Sequence, residues 1–225
     1  SGRTYNTGAT LTAIRNFGSI TNTTKVSYIY EDQESQYIRA FGGTLVTRGV
    51  PEFSAIDPST LSNQSENITI RNRNAFAVTT FDIKDRYILD GLIRRDQSSL
   101  FGPESRSSTY YRLSGAWRAN EDLHIGGIDE LRLRASYGTA GLRPQFDYQY
   151  ETLDVSAGSF SKNTLGNKAL RPAKSSEIEV GANLELANGR VTLEYTFSEK
   201  RSKDQIQQVN LPSVVGFLNQ WQNIG

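Results

Sequence analysis

The chain has 225 residues, with 25 Lys and Arg against 24 Asp and Glu. That balance lacks the basic excess of a nucleic-acid surface, and the length is enough for one domain with a real core. Cysteine is absent and histidine occurs once, as His124, which excludes disulfides, thiolate metal sites, cysteine nucleophiles and multi-histidine centres.

The dominant period along the chain is two. Alternation of apolar and polar side chains predicts about eight strands, near 8–17, 24–46, 66–81, 86–97, 108–119, 130–140, 176–187 and 190–210. In the fifth, Leu113, Gly115, Trp117 and Ala119 alternate with Arg112, Ser114, Ala116 and Arg118. In the sixth, Leu131, Leu133, Ala135 and Tyr137 alternate with Arg132, Arg134 and Ser136. The seventh sets Ile178, Val180, Ala182, Leu184 and Leu186 against Glu177, Glu179, Gly181, Asn183 and Glu185, and the eighth sets Val191, Leu193, Tyr195 and Phe197 against Thr192, Glu194, Thr196 and Ser198. Successive strand side chains point to opposite faces, so each segment has one apolar and one polar face. Helical spacing is hard to find.

The connections alternate in length. Short ones fall near 18–23, 82–85, 120–129 and 188–189; long ones fall near 47–65, 98–107 and 141–175, with another starting near 211. Asn188-Gly189 is a hairpin signal, since both residues tolerate positive φ. Alternating short and long connections match an up-and-down barrel in an outer membrane, with short turns on one side and long loops on the other. No run of 18 or more apolar residues exists, so no membrane helix is expected, but a membrane strand needs only about 9–11 residues. The polar face would then line a wet lumen, and rings such as Tyr87, Tyr110, Tyr111, Trp117, Tyr137, Tyr195 and Phe197 would form interfacial girdles. A soluble sheet with a solvated charged face fits the same alternation.

Five segments in order carry a family resemblance. They are Asp85-Arg86-Tyr87-Ile88-Leu89 leading into Ile93-Arg94-Arg95-Asp96-Gln97-Ser98-Ser99-Leu100-Phe101-Gly102; Ser114-Gly115-Ala116-Trp117-Arg118; Leu131-Arg132-Leu133-Arg134-Ala135-Ser136-Tyr137-Gly138; Leu211-Pro212-Ser213 with Gly216-Phe217; and Asn223-Ile224-Gly225. Over roughly residues 60–225, this order resembles the later part of the barrel in SusC/RagA-type TonB-linked outer-membrane transporters. The sequence departs from the family at Gln97, where glycine is common, at Leu100, where arginine is common, and at Ala173, where an acidic residue is common.

The resemblance implies an all-β fold: an antiparallel transmembrane β-barrel, of which residues 1–225 supply about eight strands of one barrel domain. That is about a third of a plugged barrel of roughly 22 strands. Both chain ends read as cut, with the plug and the remaining strands lying elsewhere. The resemblance further implies a multi-pass protein of the bacterial outer membrane, in contact with outer-membrane lipid. Its implied activity is TonB-dependent import of large nutrients, an oligosaccharide or a peptide, under a SusD-like surface lipoprotein, with TonB engaged through the missing N-terminal part.

No catalytic residue, cofactor or metal ligand is expected. His124 sits in the turn His124-Ile125-Gly126-Gly127, and Glu177 and Glu179 share one strand face as any alternating strand allows. A glycosidase using that pair ranks last among the readings, and the runner-up to transport is a soluble β-rich carbohydrate-binding module. Weak substrate-binding candidates are the loop aromatics Phe146, Tyr148, Tyr150 and Trp221, which can stack on a ligand or pack the loop onto itself. Phe160 lies in the same loop.

Overall fold

The computed structural model describes residues 1–47, 49–50, 52–156 and 159–225. The parts of the expected loops 47–65 and 141–175 that fall at 48, 51, 157 and 158 lie outside the described residues. In chain order the strands are β1 (Gly2–Phe17), β2 (Ile20–Gly42), β3 (Leu61–Ile83), β4 (Tyr87–Ser98), β5 (Ser107–Arg118), β6 (Ile128–Leu142), β7 (Thr152–Ser156), β8 (Ser159–Leu165), β9 (Ala173–Leu186), β10 (Val191–Lys203), β11 (Gln205–Asn210) and β12 (Asn219–Ile224). Eight of them form one antiparallel sheet in the order β1-β2-β3-β4-β5-β6-β9-β10, and the other four form a smaller sheet in the order β11-β12-β8-β7. The large sheet is an open wall: β1 and β10 are its two edges.

Register makes the two faces explicit. Directly opposed residues of an antiparallel pair project to the same side. Phe81, Leu89, Gly115, Ala135, Val180 and Phe197 are opposed in succession across six strands, as are Ile83, Tyr87, Trp117, Leu133, Ala182 and Tyr195 one step nearer the short turns. The opposite face carries Thr80, Asp90, Ser114, Ser136, Glu179 and Ser198 in a single row. The expected segregation of Arg132, Arg134, Glu177, Glu179, Glu185 and Glu194 onto one side therefore holds.

The apolar face is not a core. Leu11 is 73% exposed, Leu113 64% and Tyr195 67%. A soluble module would have to bury such a face, whereas a membrane wall presents it to lipid. Aromatic rings border the face on both sides: Tyr87 stacked on Trp117 (6.2 Å between centroids, 11° between planes) near the short turns, and Tyr111 against Tyr137 (5.9 Å) towards the long loops. Tyr87 and Ile93, opposite Trp117 and Tyr111, are six residues apart, roughly 20 Å at ~3.3 Å per residue, which fits an apolar bilayer band.

The short connections shrink to tight turns. Lys84 and Asp85 (φ 57° and 55°) turn β3 into β4, and Ala187, Asn188 and Gly189 (φ 58°, 57° and 76°) turn β9 into β10. The connection after β5 holds one helical turn, α1 (Asn120–Leu123), which four residues are too few to announce by periodicity. Its Asp122 accepts hydrogen bonds from the Arg86 guanidinium (2.6 Å), the Tyr87 hydroxyl (2.5 Å) and the Trp117 indole (2.9 Å). One carboxylate thus fixes the ring stack at this rim.

The Tyr87 and Trp117 hydrogen bonds, then the Arg86 pairing, hold the Asp122 carboxyl below its ordinary 3.8. A depressed folded-state value gives stability that is present above the unfolded pKa and lost as pH falls through the folded one. In the full-length protein, the thermal-midpoint advantage over Asp122→Asn is expected to be full at pH 7 and to shrink steadily below about pH 4. Equal differences at pH 7 and pH 2 would contradict this role.

Several boundaries depart from the sequence expectation: β1 begins at Gly2 rather than near 8, β2 at Ile20 rather than near 24, and β3 spans Leu61–Ile83 rather than 66–81. The predicted strand 190–210 breaks at Asp204, whose φ of 55° ends the ladder between β10 and β11. Arg171 binds the Asp204 carboxylate (3.3 Å) and Asn223 its carbonyl (2.9 Å), so contacts distant in sequence hold the bend. The expected strand 24–46 stops at Gly42, where a Cβ would overlap the Ile56 side chain. The long loop 141–175 and the segment after 211 are partly strands, because they pair with each other as the small sheet.

Candidate functional site

All long connections leave the same end of the wall, and there three of them interlock. The loop after β4, the loop between β6 and β9, and the chain from β11 to β12 share a dense set of hydrogen bonds. Gly102 N–H donates to the Leu170 carbonyl (3.0 Å), and the Gln149 amide donates to the Ser99 carbonyl (2.8 Å). Asn167 donates its side-chain amide to the Trp221 carbonyl (2.8 Å). Asn223 clamps Arg171, accepting from its N–H (3.0 Å) and donating to its carbonyl (2.9 Å). Thr164 donates to Asn219 (2.8 Å), and Leu218 N–H to the Asn163 carbonyl (2.9 Å). Side-chain amides satisfying backbone groups are how irregular segments meet their hydrogen-bond requirement without regular ladders.

Among the described residues, this loop assembly holds most of the buried apolar side chains: Leu100, Phe101 (2% exposed), Leu170 (fully buried) and Phe217. Lys162 lies over the Phe217 ring at 4.9 Å. Two glycines permit the close approach, since a Cβ on Gly102 would overlap the Lys168 carbonyl and one on Gly166 would come within 2.7 Å of the Gln149 carbonyl oxygen. Below it, Gly141 leaves room for the Tyr110 ring. Sequence reasoning missed Leu170 and Asn167. The available signal was Leu170 set between the polar pair Asn167-Lys168 and Arg171-Pro172.

The four aromatic candidates fall here and pair among themselves. Tyr148 stacks on Trp221 (3.8 Å, 16°), joining the middle loop to β12, and Phe146 meets Tyr150 at 5.3 Å and 46°. Burial, and secondarily the charge of Asp147, push the Tyr148 hydroxyl up. Tyr148 and Trp221 are half-buried and Tyr150 is exposed, so the stacks keep open edges. Phe160, in β8, is 72% exposed.

Beneath the assembly, the polar face forms a concavity of about 760 Å³ lined by Arg112, Ser136, Glu177, Glu179, Lys200 and Gln205, among others. Arg112 pairs with Asp90 (2.5 Å). Lower down, Arg134 lies over Gly181, bonding Asn183 and Glu194 (2.8 Å each) with its Nε 3.7 Å from Glu179. The Glu177/Glu179 pair is thus part of a mixed-charge wall, with Glu179 beside a guanidinium. His124 is exposed and ends α1 at φ 46°, its Nδ1 3.3 Å from the Asp122 carbonyl. No group of three or more metal-ligating side chains occurs among the described residues. The arrangement is suited to holding and passing a polar ligand.

A family model described as "TonB dependent receptor-like, beta-barrel" matches residues 1–225. TonB-dependent receptor P26 of Formosa agariphila is 28% identical over 198 residues, covering 83% of this chain and 20% of that protein. TonB-dependent receptor SusC of Bacteroides thetaiotaomicron is 24% identical over 167 residues, covering 67% of this chain and 17% of the relative. Among solved structures, the RagAB peptide transporter superposes with a TM-score of 0.83 at 23% identity, over 100% of this chain and 26% of its counterpart. The ferric-catecholate import receptor Fiu of Escherichia coli K12 gives 0.61 at 15% identity, over 98% of this chain and 33% of its counterpart. The chain therefore spans about a fifth of the length of the curated relatives it matches.

Proposed function

The chain belongs to the TonB dependent receptor-like β-barrel family of the outer membrane, and from that premise we propose that it supplies wall and external loops to a transporter that imports large nutrients, glycans or peptides, by a TonB-driven mechanism. The family is one of receptors and transporters, and the mechanism is gated passage through the barrel lumen rather than bond chemistry. The observation that carries the reading is the loop assembly: three long connections lock together at one end of a wall whose other features fit lipid outside and water inside. In this reading a SusD-like surface lipoprotein covers that end as a lid, TonB engages a part of the protein outside these residues, and the open edges of the Tyr148–Trp221 and Phe146–Tyr150 stacks touch the incoming ligand. Support for the substrate class comes from the SusC name of one relative and the peptide-transporter title of one structural neighbour.

The test is growth of the native bacterium on defined glycans or peptides as sole nutrient. Deleting the full-length gene is expected to abolish growth on one of these classes, and loss of TonB is expected to do the same. Tyr148→Ala combined with Trp221→Ala is expected to slow uptake about 30-fold, since ring stacking on a ligand contributes on the order of 1 kcal/mol per ring. Unimpaired growth of the deletion strain on every such nutrient would refute the transport reading. Normal uptake by the double variant would remove the aromatic subsite alone.

A further inference from the structure

Just beyond the apolar band, on the long-loop side, the lipid-facing surface changes to cations. On β4 the outward series Tyr87, Leu89, Gly91, Ile93 continues to Arg95, and on β3 the series Ile83, Phe81, Thr79, Ala77, Ala75 continues to Arg73 and Arg71. Arg95 is opposed to Ala75, and Ala75 to Tyr28; Arg73 is opposed to Tyr30. The two guanidinium-bearing residues are thus diagonal neighbours on one face, with Cα atoms roughly 7–8 Å apart by sheet geometry, across a floor made small by Ala75.

The surroundings do not neutralise them. Arg71 is paired with Asp32 (3.1 Å), whose same oxygen also accepts from the Tyr30 hydroxyl (3.1 Å). Arg73 and Arg95 are exposed and form no ion pair among the described residues, and the one side-chain bond of Arg95 is a 3.4 Å contact to Ser107. Like charges set side by side on one sheet face repel. At a bilayer surface an anion relieves that repulsion, and each arginine fork matches two phosphate oxygens. The tyrosines Tyr28 and Tyr30 mark the same level as the interface, since such rings sit at headgroup depth.

We propose that Arg73 and Arg95, on the outward face of β3 and β4 beside Tyr28 and Tyr30, form a docking site for the phosphate-bearing headgroup of an outer-leaflet glycolipid. The site faces away from the lumen and is separate from the transported ligand. It rests on the lipid-facing assignment of this wall and not on import, so a failure of the growth test leaves it standing.

The experiment uses the purified full-length protein in detergent, probed with phosphorylated lipid A, dephosphorylated lipid A and inorganic phosphate, with bound lipid read by native mass spectrometry. The wild type is expected to retain phosphorylated lipid A in a salt-sensitive manner and the dephosphorylated form at least 10-fold less. Arg73→Gln with Arg95→Gln is expected to lower retention of the phosphorylated lipid about 10-fold. The corresponding double lysine variant should keep most of it, and Arg132→Gln on the lumen face should change nothing. A heat-modifiable gel shift confirms that each variant is folded. Equal retention of both lipids, unchanged retention in the double glutamine variant, or displacement by inorganic phosphate at the lipid's own concentration would each overturn the proposal. So would a double glutamine variant that loses a co-purifying surface protein while keeping its lipid.

Discussion

Phe101→Ala is expected to free the loop assembly from the wall. The ring is 2% exposed, and the adjoining Gly102 N–H is bonded to the carbonyl of the fully buried Leu170, so truncation opens a cavity where the loop after β4 meets the loop between β6 and β9. Phe-to-Ala substitutions at such sites cost about 3–5 kcal/mol. The wall strands keep their own ladders, so the loss falls on the loops. Amide hydrogen exchange should therefore rise by at least about 100-fold across 145–170 and 211–224 and stay unchanged in β4 and β5. Gly102→Ala should act in the same direction, because its Cβ would overlap the Lys168 carbonyl. Unaltered exchange in both variants would mean that the loops hold themselves without this contact.

Leu113→Arg is expected to carry the largest penalty on the wall itself. Leu113 is 64% exposed at mid-height of the apolar face, between the rows of Tyr111 and Trp117. An arginine facing lipid near the midplane of a barrel strand costs ≈ 2–4 kcal/mol, whereas the same charge facing the lumen costs little. Its neighbour Ser114 faces the row of Asp90 and Ser136, so Ser114→Arg should be nearly neutral. Urea unfolding of the full-length protein in lipid vesicles reads the difference. The eight-strand piece alone, with β1 and β10 as open edges, should aggregate without detergent, because unpaired edges and an exposed apolar face both invite association.

The wall was legible because its signal is strictly periodic. Leu131, Leu133, Ala135 and Tyr137 needed only the two-residue repeat to be placed on one face, and alternating loop lengths set the direction of the strands. The small sheet was not legible. Gln205–Asn210 lies inside the strand expected over 190–210, but nothing in its amide-rich sequence, or in that of Asn219–Ile224, shows that the two leave the wall to pair with each other and with β8. Asp204 looked like one more polar position in a long strand, and the Asn223 and Arg171 contacts that bend it lie at least 19 residues away. The ring candidates were located by composition alone. That Tyr148 would meet Trp221, 73 residues on, depends on the fold of the loops, which no local pattern encodes. The charged face was read correctly as one surface, but its internal pairing of Arg134 with Glu194 and Asn183 required the register of three strands.

The orientation of the wall is the claim on which the rest depends, and this stretch contains no cysteine to confuse a labelling experiment. Single cysteines at Leu113, Ser114, Ala135 and Ser136 in the reconstituted full-length protein, each carrying a spin label, would be scored for collision with lipid-dissolved oxygen and with a water-soluble nickel chelate. The expected result is strict alternation, with 113 and 135 meeting oxygen and 114 and 136 meeting nickel. Nickel access at all four positions, or the reverse alternation, would contradict a lipid-facing apolar wall and the transporter built on it.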